Sequence, residues 1–161
     1  MKREKTRQKY GVEETLFRYG RLRIRVKECE EEIRELYARK YSLLDSLLRP
    51  KAAEKDRVSG GKTPDPVYET VEKLVDVYEK RIKRATVELC ELDGDLAVEK
   101  RLLVSLNLPE NERRFVELRY VRGLNVQDIA EEMRYSGENI YRMRRRVLQR
   151  LTMALHSQKR A

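Results

Sequence analysis

Two apolar stripes at heptad spacing, separated by one stretch unsuited to helix, constrain this chain more than any other feature. The first runs Tyr19, Leu22, Val26, Cys29, Ile33, Leu36, Leu43 and Leu47, in steps of three and four, with Lys40 as the one break. The second runs Val71, Leu74, Tyr78, Ile82, Ala85, Leu89, Leu92, Leu96, Leu103 and Leu106. Such spacing puts each set on one helix face, the pattern of a coiled-coil seam. Between them lie Ser59-Gly60-Gly61 and Thr63-Pro64-Asp65-Pro66; glycine favours the flexible chain and proline cannot continue a helix. Asp65 suits an N-cap and Pro66 a first helical turn. Gly94 sits inside the second stripe at a cost of up to ~1 kcal/mol relative to alanine, but the apolar phase continues past it. The economical solution is a long antiparallel helical hairpin over residues 13–106, with a loop at 49–66. Folding back there places Cys29 opposite Thr86 and leaves Cys90 about 6 Å further along, too far for a disulfide.

Composition supports an all-α chain: 40% of the 161 residues are charged, with seven glycines, four prolines and no tryptophan. The net charge of +9 is concentrated at the ends. Residues 134–161 hold eight Lys or Arg against Glu138 alone, and residues 1–9 hold five against Glu4. Basic ends point to a polyanionic partner, nucleic acid before membrane. Residues 1–12 read as a basic flexible arm and 156–161 as a basic tail. No stretch approaches the ~20 apolar residues that span a bilayer, and no apolar run follows the charged N-terminus as a secretory signal requires, so a cytoplasmic location is expected. Two cysteines and one histidine, His156, in no ligand spacing predict no metal and no cofactor. The acidic run Glu30, Glu31, Glu32 and Glu35 reads as a solvated helix face, because no histidine, glycine-rich loop or nucleophile accompanies it. No enzyme is expected.

From Leu108 the pattern shortens. Pro109 suits a first helical turn, and Glu110 and Glu112 complement the positive end of that helix. Phe115, Leu118 and Tyr120 or Val121 give it one apolar side, and Gly123 is placed as a C-cap. Asn125 caps a second helix over Val126 to about Arg134, and Ser136 caps a third in which Ile140, Met143, Val147 and Leu151 face inward. Ile129, Ala130, Met133, Tyr135, Ile140 and Met143 have helix-turn-helix spacing, with the small Ala130 where the two helices cross. At 100° per residue the opposite face of the third helix carries Glu138, Tyr141, Arg142, Arg145 and Gln149, suited to base edges. Arg146 and Arg150 lie on one flank and Arg144 on the other, suited to phosphates. With Ser136 and Asn139 at the start of that helix, these are the candidate DNA-binding residues.

The run from Leu108-Pro109-Glu110-Asn111-Glu112 through Tyr120, followed by Gly123-Leu124-Asn125-Val126-Gln127-Asp128-Ile129-Ala130, resembles region 4 of bacterial sigma factors. The resemblance covers about 45 residues. It implies a three-helix domain over 107–155 whose third helix, Gly137 to about Leu151, binds promoter DNA. Arg134 departs from the pattern, standing where many helix-turn-helix units have a turn glycine. No counterpart of the promoter-melting region is visible. The plan of a charged helical half followed by a region 4-like domain resembles small phage and prophage transcriptional regulators of the RinA and ArpU type.

That resemblance implies a sequence-specific regulator on double-stranded DNA, homo-oligomeric through the hairpin, with RNA polymerase as a further partner. A phage small terminase subunit also joins DNA binding to helical assembly, but commonly with the DNA-binding unit first. A polymerase- or sigma-binding adaptor is the third reading, with the same fold touching protein.

Overall fold

The computed structural model of the protein describes residues 2–48 and 66–158, with side chains for 11–46 and 69–157. The described elements are helical: α1 (Lys2–Leu48), α2 (Pro66–Ser105), α3 (Glu110–Val116), a π-helical turn (Glu117–Val121), α4 (Val126–Met133) and α5 (Gly137–Gln158). This is the all-α plan expected, with long N-terminal helices preceding a helix-turn-helix. None of the described helices is long and apolar enough to cross a membrane. α1 begins at Lys2, upstream of the Glu13 boundary, so it takes in most of the segment read as a flexible arm. Apart from Pro66, which opens α2, the 49–66 loop lies outside the described residues, as does the tail beyond Gln158.

The chain divides into two compact units, Met1–Val26 with Leu92–Ala161, and Lys27–Glu91. The division cuts both long helices instead of falling between the hairpin and the helix-turn-helix near residue 107. Its cause lies in the core of the first unit, where Val12 and Leu16 from α1, Leu102 from α2 and Leu106 from the turn that follows join Phe115, Ile129, Ile140, Met143, Val147 and Leu151 in one buried cluster. The short helices α3 to α5 leave apolar surface that the start of α1 and the end of α2 cover, which ties these segments into their core. At the join Asn107 takes a left-handed conformation (φ 47°), which asparagine tolerates better than most residues.

Within the smaller unit α1 and α2 run antiparallel. The Cys29 thiol donates to the Ala85 carbonyl at 3.2 Å, one position from the partner expected. Glu32 meets Arg81 at 3.8 Å and Lys40 donates to Glu79 at 2.6 Å. Lys40, the break in the first stripe, thus ends in a cross-helix ion pair with its stem along the seam, as a long amphipathic side chain allows. Cys29 is buried and Cys90 exposed, and both are free thiols. One seam residue is corrected: Leu74 is 43% exposed. Val75 turns inward instead, because it continues the phase of Val71 and Tyr78 at steps of four and three.

In the larger unit α1 crosses the π-helical turn at Gly20. A methyl group built there would lie 1.7 Å from the Tyr120 carbonyl oxygen, which belongs to backbone and has no rotamer to escape into. Gly20→Ala is therefore expected to cost ~1–3 kcal/mol, the range for overpacking a closed contact. Thermal unfolding reads the loss; an unchanged midpoint would show that the helix and turn separate freely.

Candidate nucleic-acid interface

The geometry around α5 is set by caps and by three buried or half-buried charges. Asn125, in extended backbone, accepts hydrogen bonds from the backbone N–H groups of Gln127 (2.8 Å) and Asp128 (2.9 Å) and so starts α4. Gly123 takes the positive φ (72°) that ends the preceding turn. Arg134 ends α4 in the left-handed conformation (φ 57°, ψ 43°), and the following N–H of Tyr135 bonds back to the Ala130 carbonyl at 2.9 Å. The arginine in place of a turn glycine thus accepts glycine's backbone. The Ser136 hydroxyl accepts from the Asn139 N–H at 3.3 Å and opens α5. Ile129 and Ile140 are fully buried where α4 and α5 pack, with Met143 and Val147 beneath them.

Glu13, 5% exposed, lies at the centre of the charged network. Its carboxylate accepts two hydrogen bonds from Arg144, at 2.8 and 2.5 Å, and one from the Tyr120 hydroxyl at 2.8 Å. Burial pushes this carboxyl up, but the hydrogen bonds from Arg144 and Tyr120 outweigh it and hold the group below its ordinary value. Burial and the adjacent carboxylate push the Tyr120 phenol up. Its ring meets Phe17 and Phe115 edge-on, at 5.0 and 6.0 Å between centroids. A second buried carboxylate, Glu112 at 2% exposure, accepts from Arg146 Nε at 2.7 Å and has Arg150 Nε at 3.6 Å.

These pairs sort the candidate residues. Arg144 is turned onto Glu13, and Arg146 and Arg150 bracket Glu112, so three of the five α5 arginines in the set hold the domain together. Glu138, Asn139, Tyr141, Arg142, Arg145 and Gln149 remain together on the exposed side, with Tyr141 55% exposed. Arg142 pairs with Glu138 one turn earlier at 2.6 Å. Arg145 has no ion pair among the described residues. Ser136 serves the cap. Sequence reasoning missed Glu13 and Glu112. Of the two, Glu112 had a signal, an acid in the phase of the apolar Leu108 and Phe115, at steps of four and three.

Comparison with known proteins decides what this arrangement is. Residues 106–152 match sigma-70, region 4. This segment is a helix-turn-helix of a DNA-binding type, and α4 and α5 are its two crossing helices. The match begins at Leu106, at the end of the long helices, and leaves Glu13 and the rest of α1 outside it. The chain is also 32% identical over 126 residues to a kinetochore protein, the NDC80 homolog of Gallus gallus, a match covering 73% of this chain and 19% of that protein. The chain therefore spans about a fifth of the length of that curated relative. No solved structure matches it.

Two expectations follow from the geometry. Arg134→Gly should raise stability by up to ~1 kcal/mol, since a left-handed residue with a side chain carries a steric cost that glycine avoids; chemical denaturation measures the gain, and a loss would mean that the arginine side chain has a compensating role. Glu13 titrates with a depressed folded-state value, so its contribution is present above the ordinary carboxyl value near 4.5 and disappears as pH falls through the folded one. Glu13→Gln should therefore be less stable than the native protein at neutral pH and should lose less stability on acidification. Parallel curves for the two proteins across that pH window would contradict the assignment.

Proposed function

We propose that the protein is a sequence-specific regulator of transcription on double-stranded DNA, of the phage or prophage RinA and ArpU type, reading DNA with α5 and assembling through its helical hairpin. The single observation that supports this most is the coincidence of the region 4 match with the exposed Tyr141, Arg142, Arg145 and Gln149 face. A recognition helix lies in the major groove, where an arginine bidentate to guanine discriminates bases. Arg145, without an internal partner, is the first choice for that contact; Arg142 needs only to leave an exposed i,i+4 pair with Glu138, a pair of small worth. Tyr141 and Gln149 supply neighbouring contacts. RNA polymerase is a further partner of such a regulator.

Arg144, Arg146 and Arg150 stay with their carboxylates in this reading, which lowers the number of phosphate contacts that α5 supplies. The same observation favours, as a second reading, an adaptor whose region 4-like face touches polymerase; that protein would bind DNA weakly with a shallow salt dependence.

Selection from random duplexes, followed by titration of variants against selected and scrambled sites at several salt concentrations, tests the proposal. Arg145→Ala or Arg142→Ala should cost ~1–3 kcal/mol on the selected site and relax preference at one base pair. Arg144→Ala should lower thermal stability first. If both Arg142→Ala and Arg145→Ala leave selected and scrambled affinities unchanged, α5 is not the reading helix and the adaptor reading takes its place.

A further inference from the structure

One edge of the antiparallel unit Lys27–Glu91 carries two matched stripes. On α1, Glu28, Glu32 and Glu35 follow one another at steps of four and three, all exposed. On α2, Val77, Arg81 and Arg84 follow at the same steps, also exposed, and Leu74 extends them by one turn. Each set is about 10 Å long at 1.5 Å per residue. The contact between Glu32 and Arg81 places both stripes on the same edge. The apolar members are out of place for a solvated face: Val77 is 52% and Leu74 43% exposed, while the seam of α2 runs elsewhere, through Val75, Tyr78 and Ile82.

We infer that this edge is the surface on which a second copy of the chain docks, with α1 of one copy laid over α2 of the other. The inference rests on the proposed assembly through the hairpin and assigns the face and the symmetry. Charge selects the arrangement. A two-fold axis running across the hairpin would stack α1 on α1 and set the three carboxylates against themselves, a like-charge contact that disfavours the pairing. A two-fold axis running along the hairpin lays the acidic stripe over the basic one, twice, as an isologous interface demands.

Register follows from the chain's own pairing. Rotation about an axis along the hairpin leaves each residue at its own height, so the levels at which Cys29 meets Ala85 and Glu32 meets Arg81 within one copy also hold between copies. Glu32 then stands level with Arg81 of the other copy. Glu28 stands within a turn of Arg84 and Glu35 within a turn of Arg81. Leu74 and Val77 come under the stem of Arg39 of the other copy, an arginine whose head is held by Glu35 at 3.2 Å. The exposed apolar side chains are covered and no carboxylate faces another.

Two charge-reversed proteins test this: Glu28→Lys with Glu32→Lys and Glu35→Lys, and Arg81→Glu with Arg84→Glu. The native chain should be a dimer by light scattering and sedimentation. Each reversed protein alone opposes like charges at both contacts, and its dimer dissociation constant should rise at least ten-fold. Mixed in equal amounts, the two should recover a heterodimer, because lysines on one α1 meet glutamates on the other α2 and native charges meet at the second contact. Circular dichroism checks that both remain helical, and Val77→Glu at an exposed position serves as a third variant that does not disturb the seam. Reversed proteins and Val77→Glu that stay dimeric with native affinity would overturn the assigned face while leaving assembly through the hairpin standing. A native chain that is monomeric at every concentration would overturn both.

Discussion

The Glu13 carboxylate is held by two donors that come from opposite sides of the helix-turn-helix: Tyr120 from the π-helical turn and Arg144 from α5. A carboxylate at 5% exposure in an apolar cluster is tolerable only with its lone pairs filled. Here all three hydrogen bonds are charge-assisted and come from groups that themselves need a partner. Removal of Glu13 leaves the buried Tyr120 hydroxyl unmatched, and removal of Arg144 leaves a buried Glu13 oxygen unmatched, which costs more than the bond itself. The network therefore fixes the rotation of α5 about its own axis. With Arg144 drawn inward, Arg145 and Arg142 are carried to the outer side.

The second buried carboxylate lies at the other flank and is less completely matched: Arg146 bonds one oxygen, and Arg150 stands 3.6 Å from the other, which has no hydrogen bond. Glu112 draws Arg146 and Arg150 toward α3, so the arginine-rich run is divided between tethered and untethered residues, although both of these stay exposed. The +9 chain thus spends part of its positive charge on its own fold. Arg142 and Arg145 then stand among cations that are exposed but held by carboxylates. In the proposed reading, each arginine that stays with its carboxylate takes one phosphate contact away, and counterion release falls with the number of phosphates neutralised.

Much of this was legible from residue spacing. The inward set Ile129, Ile140, Met143, Val147 and Leu151 follows from helical phase, and the Asn125 and Ser136 caps from residue type at the boundary. The long seams were readable for the same reason, apart from Leu74, where two adjacent apolar residues compete for one place and only packing decides. The fate of Arg144 was not readable. A helical wheel places it on a flank, but its partner lies 131 residues earlier in sequence, and no local pattern signals a contact so distant. Nor could spacing reveal that the larger unit is made from two segments far apart in sequence. Gly20 was one more glycine in a helix until the Tyr120 carbonyl was seen against it.

That discontinuity bears on how the molecule is made. Synthesis proceeds from the N-terminus, and domains whose segments are contiguous fold as they emerge. The antiparallel pair Lys27–Glu91 is one contiguous segment in that sense. The larger unit is not: Glu13, with Val12 and Leu16 beside it, is translated 131 residues before the Arg144 it bonds, and Val147 and Leu151 of the same core follow later still. Contacts of such separation carry a large loop-closure cost and slow folding. An early-formed hairpin shortens that loop by bringing its two ends to the same place. During synthesis, a pair formed in this way spares the chain part of the closure cost that separated segments otherwise meet.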